Sequence, residues 1–363
     1  MPRLLSSSKR FYMAGFLLAG FLLSGLLIVI ISARGTAWAG NAAQFIVIED
    51  TFGRKITVNI PVQRIVVLNS DALEVLRSMG AQDLVKGVYS EIVKDGAFFR
   101  EFLDRPRVGS WKNANAELIA DLNPAIVIAY ENNPGTELEK QLSSFGIQVL
   151  RLNFYKLGTI AKEIRTLGKI IGREQQGETL RAWYGQKLDA IQKRLDKVKE
   201  KPLVYVESYS AFHTAGPGSG GHDMCVYAGG KNLADEFKVP YSEVTSEWVI
   251  SKQPDIIFKT SAWGNGFERN DRVFFNHVRD EMAARPSWNL IQAVKNGRVH
   301  VLDSGIWTGP RAVIGVAYMA KCIYPRLFDD LDPEQIHKEY LESLQRIPYQ
   351  GVYISENLSG GSK

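Results

Sequence analysis

Cysteine is almost missing from this chain: 2 in 363 residues, Cys225 and Cys322. That excludes a disulfide-built scaffold and a multi-cysteine metal cluster, while leaving open one bond or two small buried residues. Runs of lysine or arginine are also missing. The 44 basic and 39 acidic side chains leave a net charge of only +5, which gives nucleic-acid binding no support. No low-complexity block argues for disorder. The chain shows no nucleophile elbow, no zinc-protease helix and no P-loop, so the sequence points to no catalytic constellation and to a protein that is not an enzyme.

The N-terminus is richer. Arg3, Lys9 and Arg10 precede the apolar run FYMAGFLLAGFLLSGLLIVII, and small residues stand at Ala37 and Ala39. This is the pattern of an export signal, residues 1–39, cleaved after Ala39. An uncleaved anchor facing outward is the alternative, since about 20 apolar residues suffice to span a bilayer. Either way the bulk of the chain is expected outside the cytoplasmic membrane, in the periplasm.

Beyond the signal, short apolar strands alternate with amphipathic helices, which predicts an α/β fold. QFIVIEDTFGRKITVN reads as a hairpin turning at Gly53. RIVVL, LVKGV, AIVIAY and IQVLRLN read as strands, and SDALEVLRSMG as a helix capped by Ser70 or Asp71 and ended by Gly80. Residues 174–199 carry Leu180, Tyr184, Leu188, Ile191, Leu195 and Val198 at helical spacing. That predicts one rigid helix of roughly 39 Å. The strand–helix pattern then resumes at PLVYVES. The expected organisation is an N-terminal lobe over 40–156, connecting helices over 157–200 and a C-terminal lobe over 201–363.

One short device occurs twice. AELIADLNPAIVI (116–128) and SEWVISKQPDIIF (246–258) each place a Glu second, a Pro seven residues later and an apolar run after it. Glu117 and Glu247 are 130 residues apart, as are Pro124 and Pro254. An acid in the first turn of a helix is favourable by about 0.3–1 kcal/mol, and that alone accounts for either Glu taken singly. Twin lobes would also present both carboxylates to a two-fold partner. Exposed pairs of about 0.2–1 kcal/mol each would orient such a partner rather than hold it.

The run RIVVLNSDALEVLRSMGAQDLVKGV, taken with the two Glu–Pro devices, resembles the substrate-binding proteins of ABC importers. The class is the one that serves iron–siderophore complexes, haem and vitamin B12, and the likeness covers about residues 45–350. It implies two similar lobes, each with a central, mostly parallel sheet, joined by one long helix: a class III periplasmic binding protein. It implies a monomer with no cofactor of its own that delivers a metal complex to a permease dimer driven by a cytoplasmic ATPase. It further implies that Glu117 and Glu247 dock on permease arginines. Ala125 stands where the family usually has Asp, which Asp255 keeps, and no cysteine is placed to carry a lipid.

Ligands of open α/β sheets bind beyond the carboxyl ends of the strands. In the first lobe those loops hold Asn69, Tyr89, Glu91, Trp111, Lys112, Tyr130 and Tyr155. In the second they hold Tyr209, Trp263, Phe267, Trp307 and Arg311. Aromatics with a few cations suit a large, partly flat, anionic or metal-chelating ligand. Gly216, Gly218 and Gly221 form a G-x-G-x-x-G, but it stands too far from its strand for a dinucleotide loop. His213 is a candidate axial metal ligand. Two other readings remain: the same fold holding a free oxyanion such as molybdate or tungstate, and an exported metal-dependent hydrolase built on His213, His222 and Asp223.

Overall fold

The computed structural model describes residues 44–261 and 266–356. The export signal or anchor, residues 1–39, lies outside them. No helix among the described residues is long and apolar enough to cross a membrane.

The chain begins with β1 (Gln44–Glu49) and β2 (Lys55–Ile60), paired antiparallel about Gly53. In β3 (Ile65–Val67) all three side chains are fully buried, as a strand covered on both faces requires. Then follow α1 (Ser70–Ser78), β4 (Val85–Val88), α2 (Ala116–Asp121), β5 (Ile126–Ala129), α3 (Glu137–Ser143) and β6 (Gln148–Arg151). The first sheet runs β4-β3-β5-β6, every neighbour parallel. The cap of α1 is Asn69, not Ser70 or Asp71: its side chain accepts the Ala72 N–H at 2.7 Å. That leaves the side chains of Ser70 and Asp71 free for other work.

α4 (Ile160–Ile170) leads to α5 (Glu174–Leu195), the long connecting helix. It is shorter than its sequence pattern, at 22 residues and thus about 33 Å. Its last turn closes at Leu195, where the Val198 N–H folds back onto the Leu195 carbonyl at 2.9 Å.

The second half comprises β7 (Leu203–Glu207), β8 (His213–Ala215), α6 (Gly220–Tyr227), β9 (Lys231–Asn232), β10 (Tyr241–Glu243) and α7 (Ser246–Lys252). It continues with β11 (Ile256–Thr260), α8 (Val273–Ala283), α9 (Gln292–Lys295), β12 (Val299–Leu302), α10 (Ala312–Ile323) and α11 (Pro333–Glu339). Its parallel strands are ordered β9-β7-β11-β12, the same path as the first sheet, and β8 and β10 extend it antiparallel.

The repeated device is repeated in geometry. Asn115 and Thr245 cap α2 and α7 by accepting the N–H three residues on. Ile119 and Val249 are the buried residue of each short helix. Asn123 at φ 45° and Gln253 at φ 48° make the same left-handed exit, then Pro124 and Pro254 lead into β5 and β11. Every match falls 130 residues apart.

The halves are not independent. One apolar core runs from β3 and β5 through α5 to β7 and α10. A buried polar network crosses it. Glu74 on α1 lies 3.2 Å from the Arg311 guanidinium and accepts the Tyr340 hydroxyl at 2.8 Å. Arg77 donates to the Gln345 side chain at 2.6 Å, and Gln345 donates to the Glu74 carbonyl at 3.1 Å. The segment after residue 340, assigned by sequence to the second lobe, therefore seats on the first helix of the first. Gly309, at φ +78°, passes so close to α1 that a Cβ there would stand 2.5 Å from Asp71 Oδ1.

Removing one member of a buried ion pair leaves the other uncompensated, at a cost of about 3–5 kcal/mol. Glu74→Ala should lower stability by that amount in urea unfolding, whereas Glu117→Ala should cost less than about 1 kcal/mol. The shared core also limits hinge motion. Small-angle scattering with and without ligand should show a small change in radius of gyration rather than wide closure.

Candidate functional site

A cavity of ≈ 530 Å³ opens between the halves. Its wall is drawn from the carboxyl ends of strands in both sheets: Asn69 follows β3, Tyr89 β4, Tyr130 β5, Tyr209 β7 and Asp303 β12. That is where an open α/β sheet leaves unpaired backbone and loop side chains.

One wall is aromatic. Trp111 meets Tyr130 edge-on at 6.1 Å, and Tyr130 meets Tyr155 at 5.9 Å. Lys112 and Lys156 lie over the outer two rings, at 4.9 and 5.7 Å. Opposite, Phe98 of the first half stands edge-on to Phe267 of the second at 5.3 Å. Phe98 is itself held between two guanidinium groups, Arg77 at 4.3 Å and Arg311 at 4.1 Å. Cation–π contacts of this kind are stronger when desolvated, about 2 kcal/mol, so they fix the ring as a rigid part of the floor.

The remaining lining is acidic. Asp71, Glu74, Glu91, Asp95 and Asp303 face it, against Lys94 and Arg311 as cations. Asp71 accepts the Tyr130 hydroxyl at 2.9 Å. Burial pushes its carboxyl up from 3.8 to about 7; the Tyr130 hydrogen bond opposes the rise and Glu74 adds to it. Asp303 is raised by burial as well, restrained by the backbone N–H groups of Gly305 and Gly266 at 2.8 and 3.0 Å. Burial works against the charge on Arg311, yet Glu74 together with Tyr353, Tyr340 and Asp303 outweighs it and raises its pKa.

Of the residues singled out by sequence, Trp111, Tyr130, Tyr209, Phe267 and Arg311 line the cavity, with Asn69, Tyr89 and Glu91. Tyr155 and Lys112 stand one contact behind it, against Tyr130 and Trp111. Trp263 lies outside the described residues. Trp307 is a correction: it is fully buried, its indole pressed on α6 where a Cβ on Gly221 would come within 2.6 Å. It is a core residue, because the chain after β12 turns inward at Ile306 before reaching the cleft with Thr308.

His213 stands away from the cavity with Nδ1 3.1 Å from the Ala211 carbonyl, and His222 pairs with the Asn232 amide at 3.1 Å. Among the described residues, His213, His222 and Asp223 are not brought together as a three-donor group. Asp71, Glu74, Asp95, Phe98 and Asp303 were missed. Helix-turn acids such as Asp71 read as caps in sequence, and only the Asn69 cap shows that Asp71 is spare.

Glu117 and Glu247 are both exposed, each the second residue of its helix. Trp111 in the cavity wall is only six residues from Glu117.

The model of the family described as periplasmic binding protein matches residues 65–305. An uncharacterized ABC transporter substrate-binding lipoprotein of Bacillus subtilis, YvrC, is 27% identical over 294 residues, 78% of this chain and 87% of its own. A vitamin B12-binding protein of Vibrio campbellii is 28% identical over 201 residues, 55% of this chain and 71% of its own. In fold the chain is similar to molybdate-bound MolA of Haemophilus influenzae, with a TM-score of 0.70 at 21% identity, covering 84% of this chain and 99% of that one.

In the folded chain Asp71 keeps its proton to about pH 7, and when unfolded only to about 3.8. The folded state therefore holds the extra proton between these values, and this contribution to stability falls as pH rises through them. Asp71→Asn should gain stability relative to the wild type as pH goes from 4 to 8, read by urea midpoints across that range.

Proposed function

The chain belongs to the periplasmic binding protein family, and on that premise we propose that it is the extracytoplasmic substrate-binding component of an ABC importer, carrying a metal complex in its interlobe cleft. The observation that carries this reading is the cavity's position: both halves build its wall from their strand ends. The relatives named for ABC transport and for vitamin B12 support it. Docking on the permease falls to Glu117 and Glu247, which occupy equivalent capped helix starts and remain exposed.

The lining narrows the cargo. At ≈ 530 Å³ the cavity matches a drug-sized ligand and is far larger than one tetrahedral oxyanion needs. Glu74 neutralises Arg311 and burial keeps Asp71 protonated to about pH 7, so Glu91, Asp95 and Asp303 against Lys94 leave no net positive charge to attract an oxyanion or a polyanionic chelate. Aromatic walls with acidic acceptors suit a bulky neutral or cationic complex that presents N–H or O–H groups, such as a corrinoid with its amide fringe or a ferric hydroxamate. Of the anionic or metal-chelating ligand expected from the sequence, this favours the metal-chelating kind, since Glu74 already neutralises Arg311.

Titrating tryptophan fluorescence with a corrinoid, a ferric hydroxamate, haem and molybdate should give saturable binding with the first or second and none with molybdate. Tight molybdate binding would overturn the cargo assignment. In transport, Glu117→Ala with Glu247→Ala should leave ligand affinity unchanged while uptake falls at least tenfold. Unchanged uptake would return both residues to helix capping.

A further inference from the structure

Three donors from distant parts of the chain converge on the outer edge of the second sheet. His300 lies on β12, which ends that sheet, Cys322 on the last turn of α10 and Glu356 in the segment beyond. One ligand atom from each lies within 4.8 Å of the others. His300 and Cys322 are buried, at 8% and 7% exposure, and Glu356 is half-buried, which leaves one side open to solvent.

Nε2 of His300 has no hydrogen-bond partner, while Nδ1 lies 2.9 Å from Glu356 Oε2, an ion-pair contact whose alignment falls short of a hydrogen bond. Buried polar atoms are rarely left so, and an unfilled ion site is one of the recognised reasons. The backbone around each donor is pinned. Arg298 donates to the carbonyls of Cys322 and Ile323 at 3.0 Å, Ser355 N–H to Val301 at 3.0 Å, and Arg272 to the Glu356 carbonyl at 3.3 Å. Phe258 stacks on the imidazole at 5.3 Å and fixes its plane. None of the three donors lines the interlobe cavity.

We propose that His300, Cys322 and Glu356 form a binding site for a divalent borderline-soft cation of the zinc class, separate from the cargo cleft. A neutral imidazole, a thiolate and a carboxylate bring two negative charges, which one such ion balances. Bonds of about 2.0–2.1 Å to N and O and about 2.3 Å to S would set neighbouring donors roughly 3.3–3.8 Å apart, reachable from the present spacing by side-chain rotation. Three protein ligands leave a fourth, tetrahedral position for water on the open side. The bound ion ties the segment beyond residue 352 and the end of α10 to the edge strand β12.

The test uses the full chain, dialysed after exposure to zinc and analysed for metal, and separately titrated with cobalt(II). The expected result is one zinc per chain and a thiolate-to-cobalt charge-transfer band that Cys322→Ser abolishes and Cys225→Ser retains. On the wild-type protein, zinc should raise the melting temperature and slow alkylation of Cys322 at least tenfold. That arm stands even if Cys322→Ser fails to fold. Absence of stoichiometric zinc, a band that survives Cys322→Ser, or alkylation of Cys322 indifferent to zinc would overturn the site.

Discussion

The structure depends on a buried charge pair that joins its two halves. Glu74 belongs to the first helix and is buried, Arg311 belongs to the turn before α10 and faces the cleft, and Glu74 could not be buried as a charge without it. Their pairing is sustained by Tyr340, Gln345 and Arg77, so the last elements of the chain close on the first. Arg311 and Arg77 then clamp Phe98 between them. Lobe spacing, cleft floor and placement of the C-terminal segment thus follow from one electrostatic arrangement inside a common apolar core.

Much of the fold is legible in the sequence because periodicity and turn chemistry are local. RIVVL and AIVIAY carry the unbroken apolar character of strands covered on both faces, and both are central in their sheet. The twin devices announce the internal duplication, and the structure repeats it down to left-handed exits at Asn123 and Gln253 before each Pro. The family likeness and the two-lobe architecture follow from the same residues.

What sequence conceals is non-local. Trp307 has the context of a cleft residue, and only packing against Gly221 reveals it as core. Apart from Glu91, the acidity of the cleft is dispersed over Asp71, Glu74, Asp95 and Asp303, which span more than 230 residues and look like ordinary caps and surface acids. Likewise His300, Cys322 and Glu356 share no spacing motif, since their meeting depends on β12 being an edge strand that α10 and the tail both reach.

Gly309 brings a bare stretch of main chain against Asp71, with no room for even one carbon between them. That contact works as a spacer of zero thickness. A side chain at this position would have to push the Asp71 carboxyl off its place beside the Tyr130 hydroxyl, so the seat of that acid at the cleft wall is kept by a residue with no side chain of its own.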